Sequence, residues 1–263
     1  MDLGLNGRVA IVAAASKGLG RAVAEEFSRE GAEVAICART ATEVEKTARE
    51  ISRANGREII WQAFDVTDAA AVHRFVEAVD KRFGKIDICV TNAGGPPAKK
   101  FVEISLEDWR SAVDLNLMST VHFAREVLPR MRARKWGRLI TITSVSVKQP
   151  VDGLLLSNSV RAAVAGLART LANEFGADGI TVNNVCPGFT LTARLEQLAG
   201  KQAATAGLSR EEILARMAAQ VPAGRLGRPE EFAALVAFLA SERASYINGT
   251  TIAVDGGLVK GLL

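Results

Sequence analysis

The segment Val9-Ala10-Ile11-Val12-Ala13-Ala14-Ala15-Ser16-Lys17-Gly18-Leu19-Gly20-Arg21 decides the fold. Its first half is an apolar run of β-strand length, and the residues from Arg21 onward begin the pattern of an amphipathic helix. Small residues at such a turn let the backbone approach a pyrophosphate, while the helix start supplies amide donors and a positive dipole end. Alternatively, the two glycines serve only a tight connection. The predicted contacts with a dinucleotide at this turn are Ala14, Ser16, Lys17, Gly18, Leu19 and Gly20.

The alternation of apolar strand-like runs with helical patterns continues almost to the end of the chain. The predicted strands are Val9–Ala14, Glu33–Ala38, Glu58–Ala63, Ile86–Thr91, Arg138–Thr143, Thr181–Cys186 and Thr250–Val254. Strands joined through helices run parallel, and continuous apolar strands suit a sheet covered on both faces. We therefore predict a single Rossmann-type, doubly wound α/β domain over 1–263, with a seven-stranded parallel sheet flanked by helices. The Ala-rich segment 191–222 has no strand pattern and is predicted to be a helical, lid-like insertion.

The composition is that of an ordinary globular protein, with 48% hydrophobic and 24% charged residues and a net charge of +4. A basic cluster at 130–138 ends a predicted helix, which favours a solvated helix end over phosphate binding, and no nucleic-acid motif accompanies it. The two histidines lie on separate helical segments, so no metal site is predicted. Three cysteines in apolar strand runs favour buried thiols in a reducing compartment. No targeting or membrane-spanning pattern is present, so a cytoplasmic location without a membrane partner is expected.

The end of the second predicted strand bears on which dinucleotide is bound. An acidic side chain at this point holds the ribose hydroxyls of NAD, but here the residue is Arg39. Arg39 and Lys17 together offer two cations for a 2′-phosphate, which favours NADP(H) over NAD(H). The alternative is an ordinary solvated arginine at a strand end.

Further short motifs follow the other predicted strands. They are Asp65-Val66, Thr91-Asn92-Ala93-Gly94, Asp114-Leu115-Asn116, Pro187-Gly188 with Thr190 and Thr192, Gly224–Glu231, and Asp255-Gly256-Gly257. Taken in order with the glycine turn, they resemble the short-chain dehydrogenase/reductase family along essentially the whole chain. The resemblance is strongest to reductases of 3-oxoacyl chains carried on acyl carrier protein.

This resemblance implies a role for each motif. Asp65 and Val66 would contact adenine, and Asn92, Ala93 and Gly94 would line the cofactor site. The loop containing Pro187, Gly188, Thr190 and Thr192 would pack on the nicotinamide and bind its carboxamide. Asn116 would organise a proton relay, and the chain would form a homotetramer through the helices near 119–134 and 155–175 and the last strand.

The catalytic run departs from the family pattern of Ser, twelve residues, Tyr, three residues and Lys. Counting from Ser144, the Tyr position is Ser157 and the Lys position is Arg161. The chain's only tyrosine, Tyr246, is remote in sequence. The predicted catalytic residues are therefore Asn116, Ser144, Ser157 and Arg161, and Arg161 is also expected at the nicotinamide ribose.

Ser157 is a poor general acid, because an aliphatic hydroxyl is far less acidic than a phenol, and an arginine does not readily pass protons. Lys148, Asp152 or a water held by Ser144 and Ser157 is an alternative proton source, although both charges also suit a solvated loop. We expect an NADP-dependent reductase of a small-molecule carbonyl, ketone or 3-oxoacyl-like, with altered proton delivery. A weakly active dinucleotide-binding sensor or partner subunit, or lyase or isomerase chemistry on an anionic substrate, remains open.

Overall fold

The computed structural model describes residues 2–262 and contains one seven-stranded, wholly parallel sheet with the strand order β3-β2-β1-β4-β5-β6-β7. The predicted parallel sheet is confirmed, whereas the domain predicted over 1–263 extends one residue beyond the description at each end. The strands are β1 (Val9–Val12), β2 (Glu33–Ala38), β3 (Ile59–Ala63), β4 (Ile88–Thr91), β5 (Gly137–Ile142), β6 (Ile180–Pro187) and β7 (Thr251–Val254). The α-helices are α1 (Gly18–Arg29), α2 (Ala41–Asn55), α3 (Ala69–Phe83), α4 (Leu106–Val113), α5 (Ser119–Arg134), α6 (Leu155–Phe175), α7 (Ala193–Ala206), α8 (Arg210–Gln220) and α9 (Pro229–Ala240).

Helices cover both faces of the sheet, which explains why β1, β4 and β5 are buried at every position. On one face α1, α2 and α9 pack on alternate strand residues, with Phe27 and Phe232 fully buried. On the other face α3, α5 and α6 do so, with Phe75 and Phe123 buried. Because the strand order reverses direction between β1 and β4, their carboxyl ends open a crevice where such folds bind ligands.

The predicted strands all form, and their ends shift by at most a few residues. The first strand ends at Val12 rather than Ala14, because Ala14 adopts a left-handed backbone with φ of 49°. The strand at 180–187 is longer than predicted. The three cysteines are buried and free, in agreement with the sequence analysis; they are Cys37, Cys89 and Cys186.

The segment 191–222 consists mainly of α7 and α8, and its role as a lid stays a prediction. The two helices share a small apolar cluster of their own that includes Leu195, Ala199, Ile213 and Met217. This cluster is separate from the two layers on the sheet. The segment follows β6 directly, so it starts at the carboxyl edge of the sheet, beside the crevice.

The basic cluster at 130–138 is largely paired within the protein. Lys135 and Arg132 both form ion pairs with Asp178. The prediction of a solvated helix end is wrong for Arg138. Its side chain is buried, and its guanidinium stacks on Trp136 at 4.3 Å from the ring centroid. Arg8 covers the other side of the same ring at 3.8 Å. Within residues 2–262, no helix combines the length and apolar character needed to cross a bilayer.

Candidate active site

The glycine turn between β1 and α1 brings backbone close to backbone. A Cβ atom on Gly20 would lie 2.6 Å from the carbonyl oxygen of Ala14, so only glycine fits there. Gly18 has a φ of 60°, a conformation that glycine adopts without strain. Ala14 holds a similar left-handed conformation at some cost, and its carbonyl accepts a hydrogen bond from Asn92 Nδ2 at 3.4 Å.

The start of α1 fits an anionic group. The residue before the helix is Lys17, whose side chain does not cap it, and the first turn contains no acidic residue. The first amide groups of the helix therefore lack a side-chain acceptor, and they point along the positive end of a 12-residue helix dipole. Ser16 and Leu19 are half-buried in the same turn, and Ser16 is fixed by Thr47 Oγ1, which donates to its carbonyl at 2.8 Å. These features fit the pyrophosphate of a dinucleotide.

Two cations follow the first two strands: Lys17 immediately precedes α1, and Arg39 immediately follows β2. Arg39 is exposed, and no carboxylate in residues 2–262 forms an ion pair with it. Lys17 is also exposed and lies 3.5 Å from Glu43. Such an exposed pair contributes little energy, so Lys17 is available to a stronger anion.

The loops after β3 and β4 border the same crevice. Asp65 is half-buried and accepts hydrogen bonds from the backbone amide and hydroxyl of Thr67. Val66 is buried, and His122 Nδ1 lies 3.3 Å from its carbonyl oxygen. Ala93 and Gly94 follow β4 directly and present their carbonyl groups to the centre of the site.

Arg161 has the most specific environment among the predicted catalytic residues. Its side chain is buried on α6, and Nη1 donates to the carbonyl oxygens of Ile142 at 3.1 Å and Thr143 at 3.0 Å. Nη2 donates to the carbonyl oxygens of Ala93 and Gly94, both at 3.4 Å. The guanidinium thus ties the carboxyl ends of β4 and β5 together. Burial, followed by the nearby charge of Arg194, lowers the pKa of Arg161 to about 10, so it remains charged at neutral pH.

Asn116 lies next to Arg161 in this network. It occupies a short π-helical turn, Asp114–Met118, that links α4 to α5 and widens the helix at this point. Its Nδ2 donates to the carbonyl oxygen of Gly94 at 3.0 Å, the same oxygen that Arg161 binds. Asn116 Oδ1 is buried and has no hydrogen-bond partner among the described residues. A buried amide oxygen normally has a partner, so this atom is suited to accept from a water or ligand.

Ser144 and Ser157 flank this network from two different elements. Ser144 follows β5, and its Oγ accepts a hydrogen bond from the Ser146 amide at 3.1 Å, which starts a short 3₁₀ turn. Ser157 is buried in the first turn of α6, one turn before Arg161. The two side chains named as alternative proton sources differ in exposure. Lys148 is half-buried, and its positive charge favours the thiolate form of Cys186, whereas Asp152 is exposed.

The loop after β6 closes the crevice from the other side. A Cβ on Gly188 would lie 2.6 Å from Asp255 Cβ, so this glycine permits a close approach of the two segments. Thr190 is buried, and Pro187 and Thr192 are half-buried. The loop also approaches the glycine turn, because a Cβ on Gly18 would contact the Thr192 methyl group at 3.5 Å.

Arg194 is a site residue that the sequence analysis missed. It lies in the first turn of α7, is half-buried, and its Nη2 donates to the carbonyl oxygen of Pro96 at 3.0 Å. The segment after β6 thereby bonds to the loop after β4, across the crevice. No sequence signal marked this residue, since a single arginine in an Ala-rich helical segment is usually solvated.

Comparisons with known proteins agree with this arrangement. A family model described as "Enoyl-(Acyl carrier protein) reductase" matches residues 13–259. The chain is 38% identical to 3-oxoacyl-[acyl-carrier-protein] reductase of Haemophilus influenzae, over 97% of this chain and 99% of that protein. It is 37% identical to a putative ketoacyl reductase of the monensin polyketide synthase from Streptomyces virginiae, over 95% and 97% of the two chains. Among solved structures, L-sorbose reductase from Gluconobacter frateurii, complexed with NADPH and L-sorbose, superposes with a TM-score of 0.95 at 35% identity and covers both chains completely.

Proposed function

Since the chain belongs to the short-chain dehydrogenase/reductase family, we propose that it is an NADP(H)-dependent reductase of a ketone or 3-oxoacyl-type carbonyl with altered proton delivery. The observation that carries this proposal is the uncapped start of α1 beside Gly20, where a backbone cradle without side-chain bulk meets a positive helix end. Relatives that are named as 3-oxoacyl and ketoacyl reductases support the reaction type.

The preference for NADP(H) is supported by charge at the end of β2. Arg39 has no ion pair in the described chain, and Lys17 has only a weak exposed one. A 2′-phosphate gives both cations a strong partner, whereas an NAD ribose gives them none. The related sorbose reductase was solved with NADPH.

When bound, the cofactor supplies hydride to the substrate carbon. The residues of this chain then have to orient the carbonyl group and satisfy its oxygen as negative charge develops there. Ser144 follows β5 at the centre of the crevice, and its hydroxyl is free to donate to that oxygen while it accepts from the Ser146 amide. The positive charge of Arg161 is close to Ser144, because its guanidinium donates to the carbonyl oxygen of the preceding residue, Thr143.

Proton delivery differs from that of the family. Ser157 and Arg161 stand where the family resemblance puts a tyrosine and a lysine, and the Arg161 Nη atoms are committed to four backbone carbonyl groups. We propose that a water held by Ser144, Ser157 or the unpartnered Asn116 Oδ1 gives its proton to the substrate oxygen, and that bulk solvent reprotonates the hydroxide that this leaves. Loss of a dedicated general acid costs about 10²–10⁴-fold in rate, so turnover should be slow.

One observation favours a second candidate, a dinucleotide-binding sensor or partner subunit with little turnover. Arg161 ties the ends of β4 and β5 together, which is a structural role that requires no chemistry. Under this alternative the cradle at α1 still binds the dinucleotide, and only catalysis is missing.

The two candidates are separated by measuring binding and turnover in parallel. NADPH binding, followed by its fluorescence, should be positive for both, and NADPH oxidation with ketones and 3-oxoacyl thioesters only for the reductase. The double variant Ser157→Tyr, Arg161→Lys should raise turnover by about 10²–10⁴-fold if the scaffold is a reductase. A double variant that folds and binds NADPH but stays inactive on every substrate would contradict the reductase. Arg39→Ala should weaken NADPH binding and leave NADH binding unchanged.

We further propose a homotetramer in the cytoplasm. An exposed row of small residues on α6, namely Ala162, Ala163 and Gly166, supports helix pairing because it allows close approach. The buried free cysteines suit a reducing compartment. Light scattering on the purified protein tests the oligomeric state.

A further inference from the structure

Two arginines bind three carbonyl groups of one short loop. Arg161 binds the carbonyl groups of Ala93 and Gly94, and Arg194 binds that of Pro96. A Cβ on the intervening Gly95 would lie 2.9 Å from Arg194 Nη2, so the guanidinium rests directly on this loop. The two cations come from α6 and α7, the helices before and after β6, and they converge at the carboxyl edge of the sheet.

Neither arginine has an acidic partner in residues 2–262. The contacts of Arg194 are the Pro96 carbonyl and Gln197 Oε1, which lies 3.2 Å from Nη1, and both acceptors are neutral. Burial lowers the pKa of Arg194, and no carboxylate offsets that effect. Most arginines of this chain that lie outside the crevice have a carboxylate within ion-pair distance, for example Arg21, Arg130 and Arg225.

A half-buried guanidinium with only neutral acceptors is poised to exchange them for an anion. Guanidinium binds carboxylate or phosphate in a bidentate manner, with charge-assisted hydrogen bonds that are stronger than those to a carbonyl oxygen. The exchange also relieves the repulsion between two like charges. The anion comes from one of two sources at this crevice, the substrate or the cofactor diphosphate.

We propose that Arg194 is a specificity-determining residue that binds the carboxylate of a short oxo-acid substrate, with Arg161 as the second positive charge of the pocket. This inference rests on the proposed reductase function. It assigns the anion to the substrate because the start of α1 already provides uncapped amide groups for the diphosphate. Arg194 instead reaches the loop that Arg161 and Asn116 bind, on the side of the predicted catalytic residues.

The position of Arg194 limits the length of the substrate. Its partner, Pro96, is two residues beyond Gly94, and two residues span at most about 7 Å. The Gly94 carbonyl and the Thr143 carbonyl, which precedes Ser144, both accept hydrogen bonds from the Arg161 guanidinium, at 3.4 and 3.0 Å, so a carboxylate at Arg194 and a carbonyl group at Ser144 would share one short stretch of the crevice. The structure therefore favours 3-oxo and 4-oxo acids with short chains over long uncharged acyl chains.

The test compares acids with their methyl esters: acetoacetate with methyl acetoacetate, and 4-oxopentanoate with its methyl ester. Arg194→Gln is compared with the wild type, and Arg216→Gln, an exposed arginine on α8, is the matched control. We expect the wild type to prefer the acids in kcat/KM. Arg194→Gln should lower kcat/KM for the acids about 10–100-fold, with less than about a threefold change for the esters. Arg216→Gln should behave as the wild type.

A second readout does not require turnover. In the presence of NADP⁺, acetoacetate should raise the melting temperature of the wild type, methyl acetoacetate should not, and Arg194→Gln should abolish the shift. NADPH affinity, measured by fluorescence, should be unchanged in Arg194→Gln.

The outcomes separate this inference from the proposed function. Equal preference for acid and ester in the wild type, or an equal loss of both in Arg194→Gln, would overturn the assignment of Arg194 to a substrate carboxylate. Weaker NADPH binding in Arg194→Gln with an unchanged ratio of acid to ester would also overturn it, and would assign Arg194 to the diphosphate. If NADPH binds but no compound is reduced, the proposed reductase fails, and the melting shift alone then decides the carboxylate site.

Discussion

Replacing Arg161 by leucine tests whether its guanidinium holds the two central strands together. The variant removes four hydrogen bonds, and two of the acceptors, the carbonyl groups of Ile142 and Thr143, belong to residues that are almost fully buried. A buried acceptor that loses its donor costs roughly 1–3 kcal/mol, so these two account for about 2–6 kcal/mol. Leucine also avoids the cost of burying a charge, which offsets part of this destabilisation. The free energy of unfolding should therefore fall by about 3 kcal/mol, out of the 5–15 kcal/mol typical of a folded domain.

Urea denaturation followed by circular dichroism measures this loss as a lower midpoint with an unchanged slope. Arg169→Leu is the matched control, because Arg169 lies two turns further along α6, is exposed and donates to a single carbonyl. Arg161→Lys should be intermediate, since one ammonium group cannot reach both strand ends. A loss below about 1 kcal/mol in Arg161→Leu would refute the bracing role, because it would mean that water replaces the guanidinium at no cost.

Three further results are expected. Ala14→Gly should stabilise the protein by about 0.5–1 kcal/mol, because relief of the left-handed strain of about 1–2 kcal/mol exceeds the added freedom of the unfolded chain; a lower melting temperature would contradict this. The three buried cysteines should resist iodoacetamide at pH 8 until urea unfolds the chain, since burial raises the pKa of each thiol, that of Cys37 to about 12; rapid labelling of the native protein would show the burial to be wrong. Hydrogen bonds from Arg225 and then from the Arg228 amide lower the pKa of Glu231 from 4.5 to about 2, so its contribution is present above pH 4.5 and is lost as the pH falls through 2. In Glu231→Gln the urea midpoint should therefore fall less steeply with decreasing pH over that window than in the control Glu230→Gln. Equal pH dependence of the midpoint in the two variants would exclude the effect.

The sequence predicts the sheet well because its information is local. Each strand is an apolar run bounded by a turn, and right-handed crossovers leave few ways to order such strands. The glycine turn is equally local, so Gly18 and Gly20 are found from spacing alone. Ala14 is a partial exception: the sequence places it in the turn but does not reveal that its backbone is left-handed.

The centre of the site was only partly predictable, because it depends on contacts between distant segments. Arg161 was expected to bind a ribose or a substrate oxygen, yet its Nη atoms bind carbonyl groups at the carboxyl ends of β4 and β5, which lie 18 to 68 positions away. The sequence does not indicate a role for Arg194, because its partner is 98 positions away and the acceptor is the backbone carbonyl of Pro96, not a polar side chain. The unpartnered oxygen of Asn116 likewise appears only once α4, α5 and β4 are assembled.

The stack of Arg8, Trp136 and Arg138 has a practical consequence for experiments on this protein. Trp136 precedes β5, so its indole lies at the amino edge of the sheet, opposite the crevice, and its emission reports on unfolding of the scaffold. Trp109 packs against the apolar cluster of Ala112, Leu156 and Val160, which lies beside Ser157 on α6, and therefore samples the neighbourhood of the pocket. The third tryptophan, Trp61 on β3, has to be replaced as well. Trp61→Phe combined with Trp109→Phe leaves only the emission of Trp136, and Trp61→Phe combined with Trp136→Phe leaves only that of Trp109, so the two ends of the molecule can be followed separately.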